Sequence, residues 1–310
     1  MQYFIRAILR KSLVVLLAGL TLLTSFSASS EVPSLGGLIT DERLTELSGM
    51  TAVSYNKNQL WAINDGGHGN FLYAISTKGS IVRELALPGI TNVDVEDISA
   101  FRYKKRQLLA IGDVGDNGGM REVRPIYIIA EPKANDDSIQ LKWTVRFRFP
   151  DRRHDCESLF VDVNEGYIYL INKRTESPIL YRVPLKPETN TVVTAEMIGV
   201  MPGVRAVQYD EAVHLSDNQS KYATQPTSAV LSCDRRTLSL LTYTAIYHYR
   251  RGKNQSWADA FVDAKPEQIA LPPLPQAESM SYSTDCRYLY VGSERTPSPI
   301  WRFRAPKVKK

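Results

Sequence analysis

Beyond residue 30 the chain alternates short apolar runs with turn residues and nowhere sustains the spacing of a long amphipathic helix. Runs rich in β-branched and aromatic side chains, bounded by Gly, Pro, Asn and Asp, predict strands, and the chain reads as all-β. The runs also recur in a fixed order. LSGMTAVSY, NQLWAINDGG, NFLYAIST and SIVRELALP make a first unit. VEDISAFRY, QLLAIGDVGDN, RPIYIIAEP and LKWTVRFRFP make a second, and CESLFVDV, GYIYLINKR, SPILYRVPL and AEMIGVM a third. A less regular fourth runs through TSAVLSCD, RRTLSLLTYT, AIYHYRRG and EQIALPP. The fifth has AESMSYSTD, CRYLYVGSER and SPIWRFRAP, and the chain ends before a fourth run. A repeated four-strand unit is the signature of a β-propeller. The spare segment around 37–44 supplies the missing strand, because closing the ring removes open sheet edges. The prediction is a single β-propeller of five blades whose last blade is closed by the N-terminal strand. Six blades are the alternative. The interval from Glu157 to Thr227 is 70 residues, against 50, 61 and 51 between the other inner strands, and could hold a degenerate blade.

The first thirty residues stand outside this pattern. Arg6, Arg10 and Lys11 precede the apolar SLVVLLAGLTLL and the small-residue SFSASS. That order predicts a cleaved signal peptide over 1–30, a propeller domain over 31–310, and a periplasmic or secreted location. The apolar run is short for a membrane span, so no transmembrane span is expected after its removal. Export also changes the charge argument. The chain is formally +5, and losing those three basic residues leaves it near +2. Such a charge gives no footprint for a nucleic-acid partner. The chain has three cysteines, so at least one thiol is unpaired in a monomer. Cys233 and Cys286 lie near the first tight turns of neighbouring units and could bridge. Cys156 reads as a small buried residue on an inner strand.

Candidate chemistry concentrates on carboxylates. Glu46, Glu96, Glu157 and Glu278 stand near the starts of inner strands, with Thr227 at that place in the fourth unit. Inner strands line the axis, so the acids converge on one funnel, with Asp97 and Asp155 beside them. Like charges held together raise their own pKa values unless a cation, N–H donors or basic partners neutralise them. Turn segments add Asp65, Asp113, Asp116 and Asn117. The matching turns of units three and five carry Lys173 with Arg174 and Glu294 with Arg295, which predicts a rim acidic on one side and basic on the other. The metal candidates are therefore Asp65, Glu96, Asp97, Asp113, Asp116, Asn117, Asp155 and Glu278. Their oxygen donors select calcium as the cofactor. No HExxH motif or close His pair points to zinc, and no GxSxG elbow points to a nucleophilic serine. His154, in RRHDCESL, is the best-placed candidate base, with Glu157 beside it and Arg205 and Arg295 as candidates for steadying an anion.

The segments LWAINDGGHGNFLYAI, VDVEDISAF, LLAIGDVGDNGG, RRHDCESLFVD and AESMSYSTD together resemble secreted bacterial β-propeller proteins of largely unassigned function. In general appearance these lie near phytase-like and NHL-type propellers, and the resemblance spans nearly the whole mature chain. It implies the architecture and the same acidic positions, at Asp65, Glu96, Asp97, Asp113, Asp116, Asn117, Asp155 and Glu157, and no agreed substrate. Two functions follow as expectations. One is an exported binding or scaffold protein that grips a small molecule, glycan or protein at the funnel. The alternative is a calcium-dependent hydrolase of phosphate-ester or lactone type, in which a bound cation would activate water.

Overall fold

The computed structural model of the protein describes residues 32–204 and 224–307. The expected signal peptide and Arg205 lie outside the described residues. Strand β1 (Ser34–Ile39) is followed by β2 (Leu47–Ala52), β3 (Gln59–Asn64), β4 (Phe71–Ser76) and β5 (Ile81–Ala86), which form blade 1. Blade 2 contains β6 (Asp97–Tyr103), β7 (Arg106–Gly112), β8 (Arg124–Ala130) and β9 (Leu141–Arg148). Blade 3 contains β10 (Cys156–Asp162), β11 (Tyr167–Asn172) and β12 (Ile179–Pro184). After it, β13 (Val192–Thr194) crosses back to pair in parallel with β9, and β14 (Glu196–Val200) completes blade 3. Blade 4 is β15 (Pro226–Leu231), β16 (Thr237–Thr242), β17 (Ala245–Arg250) and β18 (Glu267–Ala270). Blade 5 is β19 (Ala277–Tyr282), β20 (Tyr288–Ser293) and β21 (Ser298–Arg304), and β1 pairs antiparallel with β21.

The protein is thus an all-β propeller of five blades, closed by its N-terminal strand. Closure leaves its mark on the backbone. Leu38 N donates to Lys78 O at 3.0 Å, and a Cβ on Gly37 would lie 2.4 Å from the Lys78 carbonyl carbon. Gly79, at φ +98°, passes equally close to Leu38. Only glycine admits the β1 strand so near the blade 1 hairpin.

Burial falls from the axis outward. Every residue of β10 and β19 is buried, whereas outer strands such as β5 and β9 alternate. Inner strands touch the next inner strand all the way round the ring, so both their faces are covered. The apolar side chains collect into five clusters, one at each blade interface. The strand aromatics serve these interfaces. Trp61 and Tyr127 pack between blades 1 and 2, Tyr181 between 2 and 3, Tyr169 between 3 and 4, and Tyr73 and Tyr290 between 5 and 1. The irregular stretch of blade 4 contains a short helix, α1 (Trp257–Phe261), whose Trp257 and Phe261 join the interface with blade 3. No helix among the described residues is long and apolar enough to cross a membrane. Cys233 and Cys286 form a disulfide between the hairpin turns of blades 4 and 5. Cys156 is a buried free thiol, and burial pushes its pKa up to about 12, so it stays protonated and inert.

Candidate functional site

The site is built from a defect repeated on the inner strands. In β2, β10, β15 and β19 the pairing with the next strand skips one residue near the strand's start. The skipped residues are Ser48, Glu157, Thr227 and Glu278. Glu96 stands at the same place in blade 2, immediately before β6, with its N–H donated to Gly112 O at 2.9 Å. A bulge of this kind re-aims one side chain out of the alternation. The ring therefore consists of three carboxylates, Glu96, Glu157 and Glu278, and two hydroxyls, Ser48 and Thr227. Glu46, expected in the ring, lies two residues before the bulge, where its carbonyl accepts the N–H of Asp65 at 2.9 Å.

The next position inward along each strand is Gly49, Asp97, Ser158, Ser228 or Ser279. Only one of the five is large, and it reaches across the axis. The buried Asp97 carboxylate accepts the N–H groups of Ile98 (2.9 Å), Leu159 (3.0 Å) and Ala229 (3.2 Å), and the Ser228 hydroxyl at 3.2 Å. It ties the inner strands of blades 2, 3 and 4 together. Desolvation pushes its pKa up to about 8 against the pull of those donors.

Two groups of carboxylates meet at the end of the propeller where the inner strands begin. Oxygens of Asp65, Asp94 and Glu96 lie within 4.8 Å of one another, and so do oxygens of Glu96, Asp155 and Glu157. Glu96 belongs to both. The two clusters have the spacing and donor type to hold a divalent cation. The turn 113–116 packs against them, and a Cβ on Gly115 would fall 2.3 Å from Glu96 Oε1 and 2.6 Å from Asp94 Oδ2. A side chain at 115 would occupy the space between the two acids.

Burial, with mutual repulsion, dominates the electrostatics. Glu96 is held well above the ordinary carboxylate range by desolvation and by Glu157 and Asp65. Desolvation likewise raises Asp65 to about 7, Glu157 to about 8 and Glu294 to about 9, and it raises Asp94. A buried lysine works in the opposite sense. Lys173 Nζ lies 2.6 Å from Glu157 Oε2 and donates to the Tyr243 hydroxyl at 2.9 Å. That hydroxyl in turn donates to Glu278 Oε1 at 2.8 Å, which also accepts from Gln276 Nε2 at 3.0 Å. Although desolvation lowers it, Lys173 ends well above its ordinary value, because Glu157 and Glu278 hold its charge in place.

The structure gathers some of the expected residues and disperses others. Asp65, Glu96, Asp155 and Glu157 come together. Asp113 stands behind the cluster, where its Oδ1 accepts the N–H of Asp94 at 3.0 Å and pairs with Arg121 at 2.7 Å. Its Oδ2 is buried with no hydrogen-bond partner among the described residues. Asp116 and Asn117 belong to neither group: Asp116 pairs with the buried Arg124, and Asn117 Oδ1 accepts from Arg174. Asp97 and Glu278 also lie outside both groups. Arg295 caps the other side of the mouth, with its N–H on Thr45 O at 2.7 Å and an exposed guanidinium. His154 is buried, with Nε2 at 3.0 Å from Asp151 and 2.9 Å from the Tyr181 hydroxyl, and Nδ1 facing Asn172 Nδ2 at 3.1 Å. Two of the basic residues expected on the rim are paired with acids: the buried Lys173 reaches Glu157, and the exposed Arg174 reaches the buried Asp155 at 2.5 Å.

Sequence reasoning missed Asp94 and Tyr243, and it placed Glu294 only on the rim turn of unit five, not among the raised carboxylates. Asp94 sits two residues before Glu96 in VDVEDISAF, and that spacing puts both on one face of an extended chain. Nothing local marks Tyr243, which arrives from blade 4.

No protein-family model matches the chain, and no curated protein matches it. Among solved structures it is similar to Raptor from Chaetomium thermophilum, at 13% identity over 90% of this chain, with a TM-score of 0.38. The chain spans 22% of the Raptor chain's length. It is also similar to a chain of the nidogen/laminin complex, at 9% identity over 80% of this chain and 72% of the other, with a TM-score of 0.40. Likeness at this level carries no functional argument.

Proposed function

We propose that the protein is an exported binding module whose axial mouth holds a hard divalent cation, calcium by its donor set, and through it an anionic or polyhydroxyl ligand. The observation that carries the reading is the pair of carboxylate groups sharing Glu96. Asp65, Asp94, Glu96, Asp155 and Glu157 offer only oxygen donors, which favours a hard ion over zinc. Repulsion and desolvation disfavour their joint ionisation, and a cation would relieve both. Lys173 and Arg174, already charged at the same mouth, would meet the anionic part of a ligand. The binding reading needs no general base, and both ring nitrogens of His154 are engaged by Asp151, Tyr181 and Asn172. Export is supported by the Cys233–Cys286 disulfide, a bond favoured in oxidising compartments.

The test is metal content and thermal unfolding of residues 31–310 before and after chelation. Calcium near one per chain, with a midpoint that falls on chelation and recovers on adding calcium back, is the expected result. A protein that carries no metal, and whose unfolding responds to neither chelator nor calcium, would falsify the cation reading.

A further inference from the structure

A cavity of about 350 Å³ opens on blade 2 and the loop that leaves it, and it is lined by other residues than the axial carboxylates. Its walls come from the start of β8, the end of β9, the loop 149–153 and β13. Four arginines line it: Arg124, Arg148, Arg152 and Arg153. The acids on the same wall are Glu122 and Asp151. Glu122 is only loosely engaged, 3.9 Å from Arg148, and Asp151 is turned onto His154 at 3.0 Å. Arg148, Arg152 and Arg153 are exposed, whereas Arg124 is completely buried.

Arg124 is the unusual member. Its Nη2 pairs with Asp116, but Nε and Nη1 are buried with no hydrogen-bond partner among the described residues. Its guanidinium carbon lies 5.1 Å from the centroid of the Phe149 ring, which also lines the cavity. Buried guanidinium N–H groups are rarely left unmet, and the fork geometry of arginine matches an oxyanion with several acceptor oxygens. The cavity is larger than a bare anion, and Phe149 and Pro150 offer its body an apolar wall.

We propose that this cavity binds a small organic oxyanion ester, of the phosphate-monoester or sulfate-ester class. The charged head lies among the four arginines and the organic part lies on Phe149 and Pro150. The site is independent of the axial cation reading and stands if that reading fails. β13 serves it directly: its Thr194 lines the cavity and accepts from Arg148 Nε at 3.3 Å. The strand that crosses from blade 3 to blade 2 thereby holds one of the arginines.

The experiment is calorimetric titration of residues 31–310 at low salt with phenyl phosphate, phenyl sulfate and phenol. Saturable binding of either ester at millimolar concentration or tighter, with none for phenol, is expected, and the ratio of the two esters tells which head the site prefers. The triple variant Arg148→Gln, Arg152→Gln, Arg153→Gln changes only exposed side chains and keeps the fold. It should weaken binding by about tenfold or more, as loss of charge-assisted hydrogen bonds requires. Arg124→Lys keeps a charge for Asp116, removes the fork, and should weaken binding as well. Glu96→Gln, at the axial mouth, should leave it unchanged. Wild-type affinity in the triple variant, absence of saturable ester binding, or loss of binding in Glu96→Gln would each overturn the proposal.

Discussion

At the scale of single residues, the inner-strand position after the bulge explains much of the centre. Four blades place Gly49, Ser158, Ser228 and Ser279 there, and the small side chains leave room for the one carboxylate, Asp97, that bonds across three strands. A Cβ on Gly49 would lie 2.9 Å from Ile98 N, so even an alanine would press on the strand that carries Asp97. Replacing Asp97 with Asn turns an NH₂ toward N–H donors and leaves several of them unmet. Chemical denaturation of Asp97→Asn should show a loss of about 3 kcal/mol. Gly115 belongs to the mouth instead. Gly115→Ala puts a methyl group between Asp94 and Glu96. Calcium affinity measured by calorimetry should fall at least about tenfold.

At the scale of elements, the repeated strands carry the architecture and the exceptions carry the specificity. The alternation of apolar and polar positions, read from the chain, locates four strands in each of blades 1 to 4 and three in blade 5. The parallel strand β13 was not legible, because three residues, VVT, carry no signal distinguishing a return to blade 2 from continuation of blade 3. It covers the outer edge of β9, which would otherwise present unpaired backbone groups. The Cys233–Cys286 bridge joins two hairpin turns 53 residues apart, where both residues lie outside the paired strands. Its loop length implies that the double variant Cys233→Ser, Cys286→Ser should lose about 2–4 kcal/mol, measured as the shift in urea midpoint at unchanged slope.

At the scale of the whole molecule, the ring closes charge upon charge. Glu96, Asp65, Glu157 and Glu294 all have pKa values raised by burial in the folded protein, to about 7, 8 and 9 for the last three. The folded state therefore binds more protons than the unfolded chain. The stability these groups contribute is fully present below the ordinary carboxylate range and is lost as pH rises through the folded values. With chelator present, the thermal midpoint should fall between pH ~6 and pH ~9, and saturating calcium should flatten that fall. A midpoint independent of pH in chelator would contradict the buried-carboxylate account.

The sequence by itself determined what depends on local order: strand periodicity, the four-part repeat, the turns between runs, and the spare first strand that must close the ring. It also marked Glu96, Glu157 and Glu278, because the motifs VEDI, CESL and AESM place each acid directly before the residue that resumes the alternation. The first unit misled, since LSGM puts Ser48 there and the nearby Glu46 imitates the pattern from two residues away. Tertiary structure alone decided which side chains share the mouth. Asp94 beside Asp65 and Lys173 between Glu157 and Tyr243 are products of segments brought together from different blades, and Arg124 is buried by the loops of its own blade. A chain pattern encodes which way a residue faces on its own strand. The partner it meets is set by the curvature and closure of the ring, which no single segment contains.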